Sequence, residues 1–184
     1  MSKDTALLVI DVQVGVVDWA GLGKQGEEVL SNINNLLSHA RACGVPVIYI
    51  QHDSGSGGRL EAGTNAWHIH PSIAPAEGEL VIGKRASDSF HETALKRELD
   101  QRGIKHLVVT GCRTQYCVDT TCRAATSHGY NVTLAADAHM TMSNEILTGT
   151  QIIAHHNETL EEFGNDNHLI RVKPSSEIKF GPGG

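Results

Sequence analysis

His106-Leu-Val-Val-Thr-Gly-Cys-Arg-Thr-Gln-Tyr-Cys117 is the stretch that decides how this chain folds. Its first part is a short run of apolar, β-branched residues with no polar alternation, as expected of a strand buried on both faces. After Thr110 the chain turns into a helix that starts at Cys117 and stops at Gly129. Five more runs of the first kind stand at 6–10, 45–50, 80–82, 131–135 and 168–172. Helical patterns separate them. Residues 27–43 carry Val29, Ile33, Leu36, Leu37 and Ala40 at helical spacing and end at Gly44-Val45-Pro46; 90–102 puts Leu95 and Leu99 on one face and stops at Gly103; 143–163 stops at Gly164. Strands and helices in alternation, punctuated by glycine, predict an α/β fold with a parallel sheet covered by helices on both faces.

With 184 residues the chain is about one domain long, so 1–184 is read as a single domain, with 174–184, ending Gly-Pro-Gly-Gly, as a flexible tail. Hydrophobic residues at 40% and charged residues at 20% exclude a disordered chain. A net charge of -6 argues against a sequence-blind grip on nucleic acid or anionic lipid, and 4% aromatic residues argue against a base-stacking platform. No apolar run approaches the roughly 20 residues of a membrane span, and Met1-Ser-Lys-Asp-Thr5 opens no apolar leader, so a cytoplasmic protein is expected. Cys43, Cys112, Cys117 and Cys122 form no CxxC pair and do not read as a disulfide scaffold.

Ligands of open parallel sheets bind beyond the carboxyl ends of the strands, so the polar residues that end each apolar run carry the functional question. The first run ends in Asp11, with Gln13 just after it; the third continues through Gly83 to Lys84; the fourth leads to Cys117. Each has a plain structural reading, as a turn cap, a solvated lysine and a small buried hydrophobe. Together they bring an acid, an amine and a thiol to one sheet edge. A cysteine in the first turn of a helix, near an ammonium, is expected to have a depressed pKa, and a carboxylate beside it can take and return a proton. Residues 51–79 hold no long element and read as a functional loop, either a lid or a subunit contact. Its Ser54-Gly-Ser-Gly-Gly58 resembles a phosphate cradle only loosely, since no helix follows. His52, Asp53, His68 and His70 are an alternative divalent-metal set, weakly supported by a single HxH. His155 and His156 are expected in core or interface.

Asp11-Val-Gln13, Lys84 followed by Ser87, Ser89 and Phe90, Val109 to Val118 around Cys117, Gly129-Tyr-Asn-Val132 and Asp137-Ala138 together resemble the isochorismatase-like cysteine hydrolase superfamily, from about Ala6 to Leu160. The resemblance implies a three-layer α/β/α Rossmann-like sandwich with six parallel strands in the order 3-2-1-4-5-6. It implies an Asp11, Lys84, Cys117 triad, a cis peptide between Cys112 and Arg113, and an oxyanion hole built from the N–H groups of Arg113 and Cys117. Gln13, Trp67, Phe90 and Tyr116 are expected to flank a small-molecule substrate. No metal or organic cofactor is called for, and a homo-oligomer, dimer or tetramer, is expected. Members that hydrolyse nicotinamide resemble a pattern with an Asp-Trp-His-Pro metal segment, which is not in Ile50-Gln-His-Asp-Ser-Gly55. An intact Cys117 favours cleavage of a C–N bond through a thioester over the vinyl-ether hydrolysis of true isochorismatases; a non-catalytic scaffold is the third reading.

Overall fold

The computed structural model describes residues 4–18 and 23–181. Thr5–Ile10 (β1) leads into one helical turn, Val14–Val17 (α1), and then the long helix Gly23–Ala42 (α2). Val47–His52 (β2), Leu80–Lys84 (β3), Leu95–Gln101 (α3) and His106–Cys112 (β4) follow. A π-turn, Thr114–Val118, runs directly into Asp119–Ser127 (α4), and Asn131–Met140 (β5), Gly149–Leu160 (α5) and Ile170–Lys173 (β6) complete the order. All six strands are parallel, in the order β3-β2-β1-β4-β5-β6, the predicted arrangement.

The unbroken apolar runs follow from burial on both faces. On β1, Ala6, Leu8 and Ile10 pack toward Leu95 and Leu99 of α3 and Cys122 and Ala125 of α4, while Leu7 and Val9 pack toward Ile33, Leu36 and Leu37 of α2. Every residue from Ala6 to Ile10 is buried, so neither face of the strand has a place for a polar residue. Register then sets the site. Ile10 lies opposite Ile50 on one side and Gly111 on the other, and His52 lies opposite Lys84, so the ends of β1, β2, β3 and β4 share one edge.

The structure departs from the sequence reading at several element ends: α2 begins at Gly23 rather than 27, and the helix read from Cys117 is a π-turn that becomes α4 only at Asp119. The helix expected over 90–102 begins only at Leu95, because Asp88 accepts from the N–H of Phe90 and the Thr93 hydroxyl donates to the Ser89 carbonyl, local bonds that compete with a helix. The helix expected from 143 starts at Gly149, where Thr148 and Gln151 form a capping box. Strand β5 runs on to Met140, past a register shift against β4 between Val109 and Gly111. The tail is docked rather than loose: Ile178 and Phe180 are buried against the α2 side of the sheet, Phe180 packs edge-on against His39, and Asp137 accepts from the N–H and hydroxyl of Ser175. Its tip, 182–184, lies outside the described residues. Among the described residues no helix is long and apolar enough to cross a membrane.

Candidate active site

Asp11 follows β1 directly. Its N–H still donates to Ile50 across the sheet at 3.0 Å, and then the backbone swings to a φ of 51°, a left-handed conformation that Asp tolerates better than most residues. Lys84 ends β3, and its ammonium, fully buried, stands 2.8 Å from Asp11 Oδ2 and donates to the Ser87 carbonyl at 2.9 Å. Cys117 is in the π-turn after β4, half-buried; the Cys112–Arg113 peptide just before that turn is cis. Asp11 and Cys117 open onto a cavity of about 290 Å³, with His52, Arg59, Arg113 and Tyr116 among its other walls.

The electrostatics differ from the sequence expectation. Burial, joined by the negative charge of Asp11, pushes the Cys117 thiol up to about 11, against the pull of Lys84, so the resting sulfur is a thiol rather than a preformed thiolate. Burial also raises the Asp11 carboxyl, and Lys84 limits that rise. Lys84 is at ion-pair distance from Asp11, and the Cys117 thiol faces the same carboxyl. A buried carboxyl between an ammonium and a thiol is placed to exchange a proton with the sulfur. Cys112 and Cys122 are fully buried, and burial holds both thiols well above the usual range.

Of the four expected substrate walls, Tyr116 lines the cavity and three do not. Gln13 is buried, its amide donating to the carbonyls of His52 (2.9 Å) and Trp67 (2.7 Å) and accepting from the N–H of His52, so it staples β2 to the long loop. Phe90 belongs to the core, stacked near Tyr130 and His128. The carbonyl of Trp67 holds the Gln13 and Gln51 amides, and its ring packs beside His68. The long loop is therefore pinned rather than lid-like, with 3-10 turns at Asn65–Trp67 and Pro71–Ile73. Its glycine-rich turn is closed on itself: Gly55 donates to Asp53, Gly57 to Glu61 and Gly58 to Gly55, which leaves no cradle for a phosphate. Nor are His52, Asp53, His68 and His70 gathered as a metal set. Asp53 pairs with Arg85 and His70 bonds Ser72, and no group of three His, Cys, Asp or Glu among the described residues could hold an ion. His155 is exposed and His156 half-buried.

His139, which the sequence reading passed over, stands behind the π-turn. Asn157 Nδ2 donates to the Ala136 carbonyl at 3.1 Å, so its Oδ1 accepts from His139 Nε2 at 2.8 Å; that leaves Nδ1 to accept from the Thr114 hydroxyl at 2.9 Å. The chain of bonds fixes a neutral tautomer, and burial pushes the His139 pKa down to about 4. His139→Leu strands the hydroxyl of Thr114 and the carbonyl of Asn157, and the expected loss is about 2–4 kcal/mol in urea unfolding. Wild-type stability carries a matching pH signature. Because the folded pKa lies below the ordinary 6.5, the unfolded chain binds the extra proton, and stability falls as pH drops from about 6.5 to about 4, by about 3 kcal/mol at most. His139→Leu removes that part of the slope.

Residues 5–151 match the model of the Isochorismatase domain. The chain belongs to the isochorismatase family. An isochorismatase family protein of Bacillus subtilis, YddQ, is 38% identical over 148 residues, 77% of this chain and 81% of the relative. A streptothricin hydrolase of Streptomyces noursei is 36% identical over 136 residues, 74% of this chain and 49% of the relative, so the chain spans about half the length of that enzyme. A ureidoacrylate amidohydrolase of Variovorax paradoxus, RutB, is 29% identical over 174 residues, 74% of this chain and 69% of the relative. The crystal structure of an isochorismatase from Pseudomonas putida superimposes with a TM-score of 0.83 at 29% identity, covering 96% of this chain and 90% of that one. This isochorismatase-family chain is thus similar to hydrolases, at least two of them named for substrates that are not isochorismate.

Proposed function

We propose that this isochorismatase-family protein is a cysteine amidohydrolase that cleaves a C–N bond of a small molecule through a thioester on Cys117. The observation that carries the reading is the meeting of an acid, an amine and a thiol: Asp11 and Cys117 line one cavity, and the buried Lys84 stands 2.8 Å from Asp11. A thiol held near 11 makes free thiolate scarce at neutral pH. Asp11 therefore takes the proton as the sulfur attacks the carbonyl carbon, and Lys84 keeps the carboxyl able to accept it. The tetrahedral oxyanion is held by the N–H groups of Arg113 and Cys117. Asp11 returns the proton to the nitrogen, the C–N bond breaks, and ammonia or an amine leaves a thioester. Asp11 then deprotonates a water that attacks the thioester; the S–C bond breaks, the sulfur regains its proton, and a carboxylic acid departs. A streptothricin hydrolase and a ureidoacrylate amidohydrolase among the relatives favour amide-type over ether substrates.

The test is turnover of a panel of small primary amides, ureido acids and isochorismate. Release of ammonia from at least one amide or ureido acid is expected; turnover of isochorismate alone would replace this reading with ether hydrolysis, and turnover of none of the panel would leave a scaffold. Asp11→Asn is expected to lower kcat at least about a hundredfold, the usual scale of a lost general acid–base. Since the base must be ionised, the wild-type profile should lose activity as pH falls through the raised Asp11 pKa, and that acid limb should vanish from the residual activity of Asp11→Asn.

A further inference from the structure

The charged side chains on the cavity wall are Asp11, Arg59 and Arg113. Lys84 balances Asp11 at 2.8 Å, and Arg113 adds positive charge to the wall. Arg113 is the more telling of the two arginines. Its guanidinium carbon lies 4.8 Å from the centre of the Tyr116 ring, and among the described residues no carboxylate pairs with it. A guanidinium resting on an aromatic face keeps the in-plane N–H fork available, the geometry that grips a carboxylate through two parallel bonds.

We propose that Arg113 forms a subsite for a carboxylate of the substrate, so that the protein acts on small amides that carry a second, anionic end. The proposal deepens the amidohydrolase reading and rests on Cys117 as the reacting group. Arg113 then has two jobs on one molecule: its backbone N–H holds the developing oxyanion, and its side chain holds the carboxylate at the substrate's other end. That sets the size of the substrate as well as its charge, in keeping with a cavity of about 290 Å³.

N-(iodoacetyl)glycine and N-(iodoacetyl)glycinamide, whose carboxylate or amide lies several bonds from the reacting carbon, test the subsite without any substrate. In both reactions the sulfur of Cys117 displaces iodide and loses its proton, and the reagents differ chiefly in the carboxylate. The ratio of their rates at Cys117, resolved by peptide mass spectrometry, is compared with the ratio for N-acetylcysteinamide. For a charge-assisted bond at a partly solvated site, the wild-type ratio is expected to favour the acid by about tenfold over that reference. The preference should shrink between about 0.02 M and about 0.5 M salt, where screening becomes short-ranged. Arg113→Gln should bring the ratio to the reference, and Arg113→Lys should restore part of it. A wild-type ratio at or below the reference, a preference that survives Arg113→Gln, or a Cys117 that takes neither reagent overturns the subsite. Amide turnover plays no part in this readout. Preference for the acid without ammonia release from any amide leaves the subsite standing and removes the amidohydrolase, whereas ammonia release with no preference does the reverse.

Discussion

Cys117→Ser is expected to lose at least about a thousandfold in kcat on whichever amide the wild type hydrolyses, with the far-UV spectrum and unfolding midpoint unchanged. Oxygen for sulfur is a small change of size at a half-buried position on a cavity wall, so packing has little reason to respond. The chemistry has every reason. A buried Asp11 whose rise in pKa is limited by Lys84 can accept a thiol proton as the sulfur attacks, but an alkoxide is far more basic, and the same carboxyl cannot drive its formation. Steady-state kinetics with ammonia detection gives the loss, and a midpoint within about 0.5 kcal/mol of wild type attributes it to chemistry rather than folding.

Gly111→Ala is expected to have the largest effect on stability, about 4 kcal/mol or more, and to reduce soluble protein sharply. Gly111 sits where β4 passes β1 with a φ of +128°, and a methyl placed there would meet the Ile10 carbonyl oxygen at 2.1 Å. Backbone is on both sides of the clash, so no side-chain rotation relieves it, and the two strands that carry Asp11 and the π-turn of Cys117 would have to separate. Gly83, on the way to Lys84, gives the contrast: its φ is not in the left-handed region and an added methyl meets nothing within 4 Å. Gly83→Ala should therefore fall within about 0.5 kcal/mol of wild type in the same urea titration.

The sheet was readable because each strand is buried on two faces, which writes a continuous apolar run, and because parallel neighbours demand a crossover helix between them. The strand-end rule then pointed to Asp11, Lys84 and Cys117, since a polar residue that ends such a run has left the core and faces the edge. His52 obeys the same rule at the end of β2 and could have been found by it. Arg59 and Leu60 could not, because a loop held by its own turns has no periodicity to place side chains. Gln13 and Phe90 misled for opposite reasons. Gln13 has the chemistry of a ligand contact but its amide is taken up by the carbonyls of His52 and Trp67, and Phe90 follows Lys84 closely in sequence yet turns into the core. The thiol pKa was misjudged because sequence shows which charges are near and does not show how much water is removed, and here burial outweighs Lys84. His139 escaped notice because its role depends on a register shift between β4 and β5 that no local pattern announces.

The central claim is that Cys117 carries the substrate's acyl group during turnover. Acid quenching of wild-type protein during turnover of an amide from the panel, followed by peptide mass spectrometry, tests it directly. The expected result is an adduct with the mass of the acyl group on the peptide containing Cys117, released by neutral hydroxylamine and absent from Cys117→Ser. Continued hydrolysis of the same amide by Cys117→Ser at a wild-type rate, with no adduct on the wild type, would contradict it.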